Sequence, residues 1–223
     1  MFSPASQQPI FIDTDFRRAL QVEPTATGIR VHTELSENHD YFLTRPGGSV
    51  RRFAVHDLPD PAMIPGPWKV RLGAREIETA RLQSWTEFPE GKGYSGWAVY
   101  ETAFGMEQLP ERVRWVLDLG SVHETAEAEL NGTALGAAWK GSRTLSTKSA
   151  LKLGPNRLII RVANLWIQHV LSVPPRDVSR VVATYGARWG EPEIAVPRSV
   201  PPSGLLGPVR LIPVKSFTVT PDK

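Results

Sequence analysis

Apolar and polar residues alternate with a period of two through the central part of the chain. From Val113 to Leu119, apolar residues at every second position alternate with Arg114, Val116 and Asp118. From Ala126 to Leu130, apolar residues alternate with two glutamates. Because successive side chains of a strand point to opposite faces, this spacing predicts strands that turn one face towards a core.

Turn residues separate these runs. Asn131-Gly132 follows the second run directly, and Asn-Gly is typical of a two-residue hairpin turn because both of its positions need positive φ. We therefore predict a return strand over Thr133–Gly136. A third strand is predicted over Arg157–Asn164, after Gly154-Pro155-Asn156, where glycine and proline are expected to interrupt the ladder. Three strands joined by turns indicate an antiparallel β unit.

The flanking sequence predicts further strands and a division into two parts. A proline-rich segment over Asp57–Pro67 is typical of a linker. We therefore predict a short N-terminal β extension over residues 1–60 and a β-sandwich over residues 61–223. Further strand candidates are Thr27–Leu35, Tyr41–Leu43, Gly66–Leu72, Tyr94–Phe104 and Gly207–Ile212, with Phe217–Thr220 as a continuation of the last.

Composition supports an all-β protein and excludes some classes of function. The 223 residues include 20 prolines, 18 glycines and seven tryptophans, a content typical of many short strands and turns. The absence of cysteine excludes disulfides and thiolate metal sites. The net charge of +3 comes from scattered basic residues, whereas nucleic-acid binders concentrate their charge. No apolar run is long enough to cross a membrane, so neither nucleic acid nor a membrane is an expected partner.

The sequence contains no recognisable localisation signal. Met1–Gln8 lacks the basic and apolar regions of a signal peptide. The localisation therefore stays unknown, and a bacterial parent protein in the periplasm or outside the cell remains open.

Several motifs carry a resemblance to a known family. The sequences LDLG, LNG and LG, then Trp139 and the spacing from Leu151 to Trp166, resemble the galactose-binding-like β-sandwich of many glycoside hydrolases. Asn164-Leu165-Trp166 together with Pro202–Leu211 resembles the C-terminal region of family 106 α-L-rhamnosidases. The resemblance implies a jelly-roll sandwich in a sugar-related setting, with the N-terminal extension as a contracted accessory sheet. In that family the catalytic acids lie in an N-terminal barrel, and 223 strand-rich residues cannot contain one.

Three short motifs that resemble catalytic or cofactor sites lack the required context. Gly91–Gly96 satisfies G-x-G-x-x-G, but strand residues follow it where a dinucleotide site needs a helix. His123-Glu124 begins the zinc motif H-E-x-x-H without its second histidine, and Ser95 lies outside a G-x-S-x-G motif. A polar turn with His32, Glu34, Glu37, His39 and Asp40 favours solvated surface over a metal site. We expect no cofactor, although the resemblance leaves a structural calcium ion open.

Aromatic and long polar side chains supply a candidate carbohydrate site. Sugar rings present C–H faces to aromatic rings, while amide and guanidinium groups donate to hydroxyl groups. The candidate ligand-binding residues are Trp139, Lys140 and Arg143 after the hairpin, Trp166, Gln168 and His169 at the end of the predicted third strand, and Tyr94, Trp97 and Trp189. Trp115 is expected in the core, and a core position is an equal alternative for Trp139 and Trp166.

The leading hypothesis is a carbohydrate-binding or structural β-sandwich module without a catalyst of its own. The alternative is a small autonomous glycoside hydrolase that uses carboxylates or His169, although no catalytic pair is identified. Pure scaffolding is a third alternative. Expected partners are a carbohydrate such as a rhamnose-containing glycan, the catalytic domain of a longer parent, or a second copy of the chain through an unpaired strand edge.

Overall fold

The computed structural model describes residues 11–13, 21–25, 28–44, 50–139, 143–147, 149–172, 183 and 200–219. These residues are mostly β-strand in antiparallel sheets, with little helix, which confirms the all-β prediction and is consistent with a β-sandwich. The strands are β1 (Phe11–Asp13), β2 (Gln21–Thr25), β3 (Gly28–Leu35), β4 (His39–Thr44), β5 (Val50–Val55), β6 (Ala62–Met63), β7 (Trp68–Leu72), β8 (Arg75–Thr79), β9 (Trp97–Met106), β10 (Arg114–Asp118), β11 (Ser121–His123), β12 (Thr125–Leu130), β13 (Thr133–Ala138), β14 (Thr144–Ser146), β15 (Gly154–Ala163), β16 (Gly204–Gly207) and β17 (Arg210–Val219). The helix α1 is Ile167–Ser172, and short 3-10 turns lie at Trp85–Glu87 and Pro89–Gly91.

The chain forms two compact units. The first unit combines residues 1–61, 110–116 and 212–223, and the second combines residues 62–109 and 117–211. In the first unit, β4 lies between β1 and β5, and β3 lies between β17 and β2. All of these pairings for which a register is defined are antiparallel. The core of this unit is formed by Leu35, Tyr41, Val55 and Leu58, against which Val113 and Phe217 pack.

The second unit is built on a six-stranded antiparallel sheet with the order β13-β12-β15-β9-β7-β8, called the main sheet below. Its inward side chains alternate with exposed ones, as the period of two predicts. In this unit, β11 pairs with β16, and β6 pairs with the start of β17. The Tyr100 hydroxyl of the main sheet accepts a hydrogen bond of 3.1 Å from the backbone N–H of Leu205 in β16. Both residues are buried, so this bond links the main sheet to β16 in the interior of the unit.

The hairpin between β12 and β13 matches the sequence prediction. Asn131 and Gly132 have φ values of 51° and 82°, the positive values that this turn requires. The return strand continues to Ala138, beyond the predicted end at Gly136, because Gly136 lies opposite Ala128 at a register shift and the pairing resumes after it. Positive φ at Gly136 fits such an irregularity, which a glycine adopts without a Cβ penalty.

The predicted interruption before the third strand is wrong. β15 begins at Gly154, and Gly154, Pro155 and Asn156 all pair with β9. On its other side, β15 pairs with β12 only from Leu158 onwards. Pro155 therefore has a neighbouring strand on a single side, and its missing N–H group can face the open side without breaking a ladder bond.

Two asparagines organise the turns at this end of the main sheet. Asn156 is 2% exposed, and its Oδ1 accepts from the backbone N–H of Lys152 at 2.9 Å and from Nδ2 of Asn131 at 2.7 Å. Its Nδ2 donates to the carbonyl oxygens of Lys152 and Gly154 at 2.7 and 2.9 Å. Asn131 in turn donates to the carbonyl oxygen of Ala150 and accepts from the backbone N–H of Arg157. The two side chains fix the hairpin turn against the loop that precedes β15.

Candidate functional site

The predicted site residues do not form a single cluster. Tyr94, Trp166, Gln168 and His169 belong to one group of neighbouring segments in the second unit, which we describe first. Trp139 lies at the end of β13 and is 70% exposed, so it is a surface residue rather than a core residue. The guanidinium group of Arg143 lies 3.5 Å from the carbonyl oxygen of Gly120. Lys140 and Trp189 lie outside the described residues.

The side chain of Asn164 connects the end of β15 to the turn before β9. Its Oδ1 accepts from the backbone N–H of Gly96 at 3.0 Å, and its Nδ2 donates to the carbonyl oxygen of Tyr94 at 3.0 Å. The same Nδ2 lies 3.2 Å from the hydroxyl oxygen of Ser203. We call this arrangement the Asn164 corner. The turn it holds leads directly into Trp97, the first residue of β9.

Trp166, Gln168 and His169 do not continue a strand, which corrects the sequence prediction. β15 ends at Ala163, Trp166 lies in a turn, and the other two residues lie in α1. Antiparallel pairing with β9 stops where Ala163 lies opposite Trp97, so the chain beyond this point has no ladder to extend. It closes instead into a helical turn, in which the His169 N–H donates to the Trp166 carbonyl oxygen at 2.9 Å.

The rings of Trp166 and His169 are neighbours. Their centroids are 6.2 Å apart and the rings are tilted by 31°. The Nδ1 atom of His169 lies 3.4 Å from the carbonyl oxygen of Gly93, so this imidazole reaches the turn before β9. Trp166 is half-buried and His169 is exposed.

Gln168 has a different environment from its neighbours in α1. It is 2% exposed, and its Nε2 donates to the carbonyl oxygen of Pro201. Its Oε1 has no hydrogen-bond partner among the described residues. This burial supports a role in fixing α1 to the chain before β16 rather than in presenting an amide at the surface.

Tyr94 packs against the interior. Its ring lies edge-on to the fully buried Trp85, with the centroids 5.6 Å apart, and its hydroxyl donates to the carbonyl oxygen of Trp97 at 2.7 Å. Trp85 is held by a hydrogen bond from its backbone N–H to the carbonyl oxygen of Ser203. Tyr94 therefore contributes to the position of Trp97 through both its backbone and its hydroxyl group.

The register of the main sheet brings two exposed tryptophans to the same sheet end. Ala138, Ala126, Val162 and Ala98 lie side by side across four strands, and all four are buried. One residue further along each strand towards the same end are Trp139, Thr125, Ala163 and Trp97. Because side chains alternate between faces, Thr125, Ala163 and Trp97 point outwards, and Trp139 lies just beyond the end of β13. Trp139 and Trp97 are 70% and 50% exposed, and the two residues between them are small.

We call these four residues the tryptophan row. The sequence identified Trp139 and Trp97 as separate aromatic candidates, whereas their common row depends on pairings between strands that are distant in the chain. Leu165, which is 55% exposed, follows β15 at the same sheet end. Among the described residues, six large hydrophobic side chains are exposed, and three of them lie at this end: Trp97, Trp139 and Leu165.

Charged residues cover the outward face of the main sheet next to this row. Arg161 lies opposite Glu127 on β12 and opposite Val99 on β9, two residues from the tryptophan row along each strand. Its guanidinium group is 3.5 Å from the carboxylate of Glu129. Further along, Nε of Arg157 donates to the carboxylate of Glu101 at 2.7 Å. This hydrogen bond lowers the pKa of Glu101 and raises the pKa of Arg157, so both groups are ionised near neutral pH.

In the polar segment over residues 32–40, Glu34 of β3 and Asp40 of β4 form ion pairs. Asp40 lies 2.5 Å from Arg52 and 3.1 Å from His56, and the hydrogen bond from Arg52 lowers the pKa of Asp40. Glu34 lies 3.0 Å from Arg114. No group of three or more metal-ligating side chains occurs within the described residues. Nor does any helix in that part of the chain have the length and apolar character needed to cross a membrane.

Comparison with known proteins shows that the chain is similar in sequence to a segment of a longer protein. No family model matches the sequence. A curated protein of Formosa agariphila, named "Putative beta-glucuronidase", is 34% identical over 128 residues. The match covers 53% of this chain and 11% of the relative, so the chain corresponds to a small part of that protein.

Two solved structures share the fold. A rhamnosidase from Novosphingobium sp. PP1Y matches 92% of this chain and 24% of its own length, with a TM-score of 0.60 and 21% identity. A beta-glucuronidase from Bifidobacterium dentium matches 72% of this chain and 31% of its own, with a TM-score of 0.52 and 19% identity. The chain thus resembles a region of larger glycoside hydrolases, which agrees with the general resemblance to glycoside hydrolases found in the sequence.

Proposed function

We propose that the chain is a non-catalytic β-sandwich part of a larger glycoside hydrolase and that it binds carbohydrate. The observation that carries this proposal is the extent of the fold match: nearly the whole chain corresponds to about a quarter of a rhamnosidase. The sequence similarity to part of a protein named as a beta-glucuronidase supports the same setting. On the basis of the sequence motifs, we assign the second unit to the galactose-binding-like type of β-sandwich. We assign the C-terminal region of family 106 α-L-rhamnosidases as its counterpart.

The side chains at the end of the main sheet support a binding role. Exposed indole rings offer apolar faces to the C–H groups of a sugar, and neighbouring charged groups can exchange hydrogen bonds with its hydroxyl groups. The names of the similar proteins suggest glycans that contain rhamnose or uronic acid. Fragments of rhamnogalacturonan contain both types of sugar and are therefore the first ligands to test.

Binding and catalysis are tested separately on the purified chain. Isothermal titration calorimetry with rhamnogalacturonan fragments is expected to show saturable binding, and incubation with aryl α-L-rhamnosides and aryl β-D-glucuronides is expected to release no aryl alcohol. Turnover that disappears on substitution of one carboxylate would instead establish the autonomous hydrolase. If neither assay gives a signal, the carbohydrate-binding role is wrong and structural support within the parent enzyme remains.

A further inference from the structure

The tryptophan row has a spacing that selects for the length of a ligand. Trp139 follows the last residue of β13, and Trp97 begins β9, with β12 and β15 between them. Neighbouring strands lie about 4.8 Å apart, so three steps separate the two backbone positions by about 14 Å. This interval exceeds the width of one pyranose ring. A monosaccharide can therefore contact one indole at a time, whereas an extended oligosaccharide can contact both.

The residues between the two indoles are small and half-buried. Thr125 and Ala163 occupy the two central positions and carry small side chains. A sugar residue that bridges the indoles would meet no long side chain there. The outward face of the sheet and its small central residues thus fit a linear ligand that crosses the strands.

The next outward row supplies polar groups along the same direction. Arg161 and Glu127 lie opposite each other, and Glu127 is exposed. Arg161 can donate hydrogen bonds and Glu127 can accept them. A sugar hydroxyl group both donates and accepts, so it can bond to either side chain. Aromatic and hydrogen-bonding rows that run side by side are suited to a sugar chain, which has apolar ring faces and polar edges.

The charges on this face argue against a protein as the occupant. Protein interfaces are depleted of charged residues at their centre, and a partner that covered this face would remove the Arg157–Glu101 and Arg161–Glu129 pairs from water. A hydrated oligosaccharide would leave these pairs solvated and could hydrogen-bond to them.

We propose that the tryptophan row is a platform for an extended oligosaccharide, with Trp97 and Trp139 stacking on two separate sugar residues and Arg161 and Glu127 contacting hydroxyl groups between them. The proposal rests on the carbohydrate-binding role proposed above and adds the site, the direction across the strands and the dependence on chain length. Affinity is expected to rise by about tenfold or more from a monosaccharide to an oligosaccharide that reaches both indoles, because the second stacking contact buries further apolar surface.

The test compares the chain with Trp97→Ala and Trp139→Ala variants in titrations with rhamnose and a size series of rhamnogalacturonan fragments. Each substitution is expected to weaken binding of the long fragments by about five- to tenfold and to reduce the preference for length. Trp97→Phe and Trp139→Phe should keep most of the affinity, because an aromatic face remains. Circular dichroism and thermal unfolding check that each variant is folded.

Leu153→Ala is the matched control. Leu153 is 63% exposed and precedes β15 at the opposite end of the main sheet, about 30 Å away along the strand. This variant should bind all ligands as the original chain does.

The outcomes separate this proposal from the proposed function. Binding of long fragments that is unaffected by both tryptophan substitutions, or equal affinity for rhamnose and long fragments, would overturn the platform while the chain remains a carbohydrate-binding module. Absence of binding to every fragment would overturn both proposals. Loss of length preference in folded Trp97→Ala and Trp139→Ala variants, with the control unchanged, would establish the platform.

Discussion

Replacing Asn156 with alanine is expected to destabilise the second unit more than a typical single substitution. The side chain makes four hydrogen bonds of 2.7–2.9 Å, which use both acceptor positions of its oxygen and both donors of its nitrogen. It is 2% exposed, so water does not readily replace these bonds. At about 1 kcal/mol for each bond, Asn156→Ala should lower the free energy of unfolding by about 4 kcal/mol.

Urea unfolding followed by tryptophan fluorescence measures this effect. Lys152→Ala is the control, because Lys152 interacts with Asn156 through backbone atoms and its own side chain is exposed. The control should change the free energy of unfolding by less than about 0.5 kcal/mol. A loss below about 1 kcal/mol for Asn156→Ala, with an unchanged denaturant slope, would refute the reasoning that these bonds act together in a site closed to water.

An aspartate at this position provides an independent readout. Asn156→Asp keeps the shape and the acceptors but places an anion against the carbonyl oxygens of Lys152 and Gly154. That environment would raise the pKa of the new carboxyl group in the folded state above its unfolded value. The stability of this variant should therefore rise as the pH falls through the acidic range, and the same pH dependence should be absent from Asn156→Ala.

Two further predictions concern the hairpin and the buried tyrosine. Asn131→Ala should destabilise the chain by about 1 kcal/mol more than Asn131→Gly, because both lose the same side-chain bonds but only alanine is strained at φ 51°, and urea unfolding of the two variants measures the difference. Burial raises the pKa of Tyr100 to about 12 from an ordinary value of 10.0, so the folded state binds this proton more tightly than the unfolded state. Stability should be independent of this group below about pH 10 and should fall by about 1.4 kcal/mol per pH unit between about pH 10 and 12. Tyr100→Phe should remove this alkaline loss of stability. At neutral pH the variant should have a free energy of unfolding lower by about 1 kcal/mol, because the N–H group of Leu205 loses its acceptor. An equal loss of stability at alkaline pH in both proteins would contradict the assignment of the pH dependence to Tyr100.

Local patterns predicted those parts of the fold that depend on neighbouring residues. Alternation over Ala126–Leu130 and the Asn131-Gly132 turn were enough to place the hairpin, because strand faces and turn geometry are set within a few residues. The same local rules failed at Pro155, where the outcome depended on whether a second strand lies alongside. They also failed at α1, since six residues contain too few turns to show a helical period.

The candidate site depended on pairings that the sequence does not show. Trp97 and Trp139 are separated by about forty positions in the chain. Three strand registers combined align Ala98 with Ala138, and Trp97 and Trp139 are the chain neighbours of these two alanines at the same sheet end. Sequence reasoning selected both tryptophans by residue type and grouped Trp139 with Arg143, because these two are close in sequence. In the structure, the guanidinium group of Arg143 lies 3.5 Å from the carbonyl oxygen of Gly120.

The asparagines of the resembled motifs divide between the two ends of the main sheet, and this division separates stability from the proposed binding. Asn131 and Asn156 lie at the end where Leu130 pairs with Leu158, whereas Asn164 lies at the end where Ala163 pairs with Trp97. The first pair closes loops that carry no exposed aromatic ring, so its contribution is to the free energy of folding. Asn164 holds the turn from which Trp97 emerges. The position of one end of the tryptophan row therefore depends on an amide side chain that itself need not touch a sugar.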